Sequence, residues 1–77
     1  MDPEKFQVVQ VHETGERYAL RMLHRDVVGA CGPLSPGEAT ATALPHLTYS
    51  SELAEWFMGT YIVGGNVRYD PVPPDEE

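Results

Sequence analysis

"FQVVQVHETGERYALRMLH", residues 6–24, decides the architecture. Its opening seven residues are rich in β-branched side chains and read as a strand. Its closing eight alternate, with Tyr18, Leu20 and Met22 on one side and Arg17 and Arg21 on the other, the period of a half-buried strand. Between them "ETGE" (13–16) is a turn in which Gly15 can take positive φ. A two-residue Thr14-Gly15 loop pairs Val11 with Tyr18 and Val9 with Leu20. That register gathers five large apolar residues, Met22 included, on one face. The opposite face has His12, Gln10, Arg17 and Arg21 near the turn but Phe6, Val8 and Leu23 at the open end. This apolar end calls for a cover of its own.

Downstream, "HRD" makes a bend and "VVGAC" (27–31) is a third strand. The segment that follows, "GPLSPGEAT", places Gly32 and Gly37 at the spacing of a nucleotide loop. Such a loop needs Lys and then Ser or Thr after its second glycine. Glu38 and Ala39 stand there instead, and Pro33 and Pro36 remove amides that would cradle an anion. A helix start accounts for the same residues. Ser35 is the N-cap, Pro36 the first helical position and Glu38 the third, a capping box opening a short helix over 36–44 that stops before Pro45. Cys31 lacks a nucleophile-elbow context, because Pro33 occupies the place of the second glycine. It reads as a buried small residue.

Ser50 or Ser51 caps a second helix, with Glu52 and Glu55 suited to its N-terminal dipole and Gly59 as its stop. Leu53, Trp56 and Phe57 form its apolar stripe, expected to lie across the hairpin as core. The alternative use of Trp56 is as an exposed anchor for a partner. In 60–69, Gly64-Gly65-Asn66 signals a C-terminal hairpin, or the segment adds one strand to the sheet edge. "DPVPPDEE" reads as a disordered or extended end.

The fold class is therefore α+β. A single domain over 1–69 carries an N-terminal antiparallel β-hairpin or three-stranded meander packed against two short helices. A C-terminal strand or hairpin follows, and 70–77 forms a Pro-rich acidic tail. With 77 residues and one cysteine, no intrachain disulfide can staple so small a core. His12, His24 and His46 have no metal-ligand spacing. No metal or cofactor is expected, and partnership with another protein, or self-association, is the remaining route to extra stability.

The net charge is −7, from five bases and twelve acids, with four of the acids in the tail. That balance opposes polyanion binding. No basic start precedes an apolar run and no stretch approaches a membrane span, which leads to the expectation of a soluble, cytoplasmic chain. No two titratable groups share a spacing that defines a catalytic pair, so neither an enzyme nor a small-molecule substrate is expected. The expected function is a small non-catalytic protein-interaction module: a regulator, an inhibitor or a subunit of a larger assembly. The alternative is a nucleic-acid-linked regulator working through the arginine-bearing strand. The candidate partner surface comprises Arg17, Arg21, Arg25 and Trp56.

Overall fold

The hairpin forms with a register different from the one expected. In the computed structural model, which describes residues 4–35 and 37–74, β1 (Glu4–Val11) and β2 (Arg17–Leu23) pair Val9 with Tyr18 and Gln7 with Leu20. The Val11 amide donates to the Glu16 carbonyl at 2.9 Å, and the Gly15 amide to the Val11 carbonyl at 2.8 Å. The loop thus spans four residues, 12–15, instead of two. A two-residue loop of type I′ would need positive φ at Thr14 as well as Gly15, and a β-branched residue resists that. Gly15 alone takes it, with φ of 73°. The slip is two residues, so side-chain parity is preserved and Val9, Val11, Tyr18, Leu20 and Met22 still share a face.

β3 (Asp26–Cys31) pairs antiparallel with β2 through the tight His24-Arg25 turn, with a bulge opposite Arg21 and Met22. The fourth strand, β4 (Tyr69–Val72), runs antiparallel to β1, giving the order β3-β2-β1-β4. Of the two readings of 60–69, the hairpin does not form; one strand does join the sheet edge, but it shares only Tyr69 with that span. Gly64 and Gly65 lie in a short 3₁₀ turn, Val63–Gly65, not in a hairpin loop. Asp70, Pro71 and Val72, read above as the start of the tail, belong to the sheet. The His12 amide donates to the Arg68 carbonyl, which makes Gln10–Asp70 and Val8–Val72 the bonded pairs. Pro71 opposite Val9 falls between them, where its missing N–H costs no ladder bond. The lead-in 1–3, Pro36 and the charge run 75–77 lie outside the described residues.

Both faces of the sheet are covered, as the fully buried neighbours Val8 and Val9 require. Helix α1 (Ser51–Tyr61) lies on one face, where Ala54, Phe57 and Tyr61 meet Val9, Val11, Tyr18, Leu20 and Ala30. The other face holds a smaller core of Val8, Ala19, Ala39 and Leu44, flanked by Phe6, Cys31, Leu34, Leu47 and Tyr49. The cover there is not a helix. Over 36–44 the described residues form turns, and the only regular piece is a 3₁₀ turn, Leu44–His46. The Glu38 carboxylate does reach back to the Ser35 amide, at 2.7 Å, as a capping box requires. The Ser35 hydroxyl, however, donates to the same carboxylate at 2.8 Å instead of accepting from an amide. Thr40 then starts a separate turn, its Oγ1 accepting from the Ala43 amide at 3.0 Å. With Gly37, two threonines and Pro45 in so short a run, local side-chain bonds win over helix propagation.

α1 itself begins where expected and ends later. Ser50 Oγ accepts from the Leu53 amide at 3.2 Å, and the helix runs through Gly59 to Tyr61. The extra residues bring Tyr61 into the buried stripe, which is Ala54, Phe57 and Tyr61 and not Leu53, Trp56 and Phe57. Trp56 consequently lies at the margin of the core, 46% exposed, and not within it.

Two comparisons follow. Phe57→Ala should cost about 3–5 kcal/mol and unfold much of the population, whereas Trp56→Ala should cost only about 1–2 kcal/mol, since half its surface is already in water. Ser50→Ala should cost about 1 kcal/mol as a lost N-cap, and Ser35→Ala only a few tenths, because no helix starts there. Urea melts of the four variants check both orderings.

Candidate functional site

The outer face of α1 carries the exposed residues Glu52, Glu55, Trp56, Gly59 and Thr60, with exposed Ser51 and Met58 flanking it. Their spacing of three and four residues places them on one continuous helical face. Trp56 is held from beneath. Its ring meets Tyr61 edge-on at 5.5 Å between centroids and Tyr18 at 6.1 Å. Tyr18 and Tyr61 in turn pack on Phe57, at 5.4 and 5.0 Å, and Phe57 on Tyr69 at 5.3 Å. The exposed indole therefore stands on a buried aromatic cluster, which limits its rotameric freedom. Gly59 sits three residues on, and a Cβ there would meet nothing within 4 Å. The helix accepts a glycine's cost of about 1 kcal/mol relative to Ala, with no contact inside the domain to explain it.

The helix is anchored at its N-cap. Ser50 exchanges two backbone hydrogen bonds with Ala30 of β3, at 3.0 and 2.9 Å, while its side chain caps α1. These bonds fix the position of the N-terminal turn and, with it, the outward direction of Glu52 and Trp56.

The arginines do not form a single stripe. Arg21 Nε donates to Glu4 Oε2 at 2.7 Å, and its side chain borders the smaller core. Arg17, half-buried, lies on the same sheet face, two strand repeats away, and its carbonyl accepts from the Leu34 amide. Arg25 is exposed at the β2–β3 turn. Trp56 is on the opposite layer, so the four sequence-predicted residues fall on three separate surfaces.

A shallow cleft of about 270 Å³ opens between Glu4, Phe6 and Arg21 on the strands and Pro45, Leu47 and Tyr49 on the covering loop. Phe6 and Tyr49 pack at 5.4 Å, and Tyr49 OH donates to the Leu44 carbonyl at 2.7 Å. The two charged groups in its lining bind each other. Burial pushes the Tyr49 phenol up to about 12, with Cys31 adding to the effect and Arg21 opposing it. Cys31 is partly buried, and burial, then the Glu38 charge, raises its thiol above its ordinary value. His24 lies in the β2–β3 turn, beyond the end of β3 opposite to Cys31. Glu38 is held below the usual carboxylate range by its bonds to Ser35, the backbone amide first. Among the described residues, no group of three or more His, Cys, Asp or Glu side chains could hold a metal ion. No helix among them is long and apolar enough to cross a membrane.

Of this face, Trp56 stands out in the sequence, whereas Glu52, Glu55 and Gly59 read there only as helix-dipole and helix-stop residues. The available signal was a mid-helix glycine with a tryptophan three residues before it. Comparison with protein-family models, with curated proteins and with solved structures found no match.

The raised Tyr49 phenol has a defined consequence. The folded state holds that proton more tightly than the unfolded chain, whose phenol has the ordinary value of 10.0. The contribution is complete below pH 10.0 and lost as pH rises toward about 12. Urea midpoints should fall across that window, and Tyr49→Phe should flatten the fall.

Proposed function

We propose that this chain is a non-catalytic protein-interaction module that docks through the outer face of α1. The observation that carries this reading is the 46% exposure of its one tryptophan on a buried aromatic platform. Burying that indole inside the domain would help a core this small, so leaving it outside costs stability that a partner can return. Tryptophan is enriched at interface hot spots because it offers large area with few rotatable bonds. The open surface at Gly59 supports the same reading, since it lets a partner approach the helix closely beside the indole. The cleft beside Arg21 and the Cys31 thiol supply no comparable support for catalysis. One has its charges neutralised internally, and burial raises the pKa of the other, against the shift an activated nucleophile needs. The arginine-bearing strand ranks second, because the Arg21 guanidinium is already engaged by Glu4.

The test is partner capture from the native host by immobilised protein. Trp56→Ala should weaken retention of any specific partner at least tenfold, the loss typical of a hot-spot aromatic, while circular dichroism shows a folded chain. Arg25→Ala, on a distant turn, should leave capture unchanged. Equal capture by Trp56→Ala and the wild type would remove α1 as the docking face.

A further inference from the structure

We infer that the occupant of the α1 face is a basic segment of another protein, seating a lysine or arginine over the Trp56 indole beside the carboxylates of the helix. This rests on the reading of that face as a docking surface and adds the partner's chemistry. Charge placement is the argument. The outer face of α1 carries two acids, Glu52 and Glu55, and no base. The chain's five bases all lie elsewhere: Lys5 on β1, Arg17 and Arg21 on β2, Arg25 in the following turn, and Arg68 paired with Glu13 at 3.2 Å.

Glu52 is four residues before Trp56, a surface neighbour at about 5–6 Å between Cβ atoms, and Glu55 is three residues from Glu52 on the same side. A cation drawn to the exposed indole would have the Glu52 carboxylate beside it, one helical turn away, and Glu55 on the same outer face. Gly59 leaves the next turn free of side chain, so the stem of a long basic residue, or the backbone that bears it, can lie flat there. A second copy of the chain is a poor occupant. A symmetric contact through α1 would gather Glu52 and Glu55 of both copies into one interface, with no base on that face to offset the four carboxylates. Nucleic acid is poorer still, since the chain's net charge of −7 repels phosphate.

The experiment is selection of a random peptide library against the immobilised full chain, compared with the Trp56→Ala, Trp56→Phe and Glu52→Lys/Glu55→Lys variants. All of these positions are exposed, and circular dichroism verifies that each variant folds. Selected peptides should be enriched in Lys and Arg over the input library and weakened by added salt. They should bind at least about tenfold less tightly to Trp56→Ala and to the charge-reversed pair, with partial retention by Trp56→Phe. Trp56-dependent peptides without a basic excess, or basic ones indifferent to the charge reversal, would overturn the basic partner while leaving the docking face standing. Selected peptides that bind Trp56→Ala as well as the wild type would overturn both.

Discussion

The pair of backbone hydrogen bonds between Ser50 and Ala30 holds the two layers of this domain in register. Ala30 belongs to the outer strand β3 and directs its amide and carbonyl outward, where nothing else in the sheet can satisfy them. Ser50 takes both and, one bond away, caps α1 with its hydroxyl. Each such bond contributes only about 1 kcal/mol net. Together they determine where the helix starts on the sheet, and so which of its residues reach the core. Ala54, Phe57 and Tyr61 follow at intervals of three and four, while Trp56 emerges at the side.

A sheet of four short strands that buries both faces needs two covers, and the chain makes them by different means. The helix supplies aromatic bulk: Phe57 and Tyr61 interlock with Tyr18 and Tyr69. The loop from Gly32 to Tyr49 supplies smaller pieces, Ala39, Leu44 and Leu47, held by local turns. Gly32 is where the crossing to that face begins. A Cβ at this residue, whose φ is 152°, would stand 2.5 Å from the Tyr18 ring. The tyrosine can therefore complete the helix-side core only because the residue beside it has no side chain.

The parts of this arrangement that were legible in the sequence are those set by local periodicity. Strand alternation identified the apolar face of the hairpin, and it survived the wrong loop length because a slip of two residues preserves parity. The Ser50-Ser51 pair ahead of Glu52 marked the helix start, and the cap is Ser50. Nonlocal terms decided the rest. Nothing near Gly59 signals that the helix continues past it, so the stripe was centred on Leu53, Trp56 and Phe57 and not on Ala54, Phe57 and Tyr61. The Ser35–Glu38 pair satisfied a helix-start pattern, yet the same carboxylate bond closes an isolated turn when Thr40 competes for the next amide. Trp56 was visible as a candidate, and its exposure was not, because that depends on the rotation of α1 about an anchor twenty residues away in the chain.

The position of Pro71 bears on how this protein behaves when crowded. Along the outer margin of β4, Pro71 offers no donor, and Pro73 continues the same row beyond the strand. On the other margin, Ser50 occupies Ala30, and the bulge near Val28 distorts the remaining groups of β3. Neither margin presents a regular ladder for another chain to extend. The exposed valines and Trp56 thus sit on a sheet whose two margins are both poor templates for the addition of another strand.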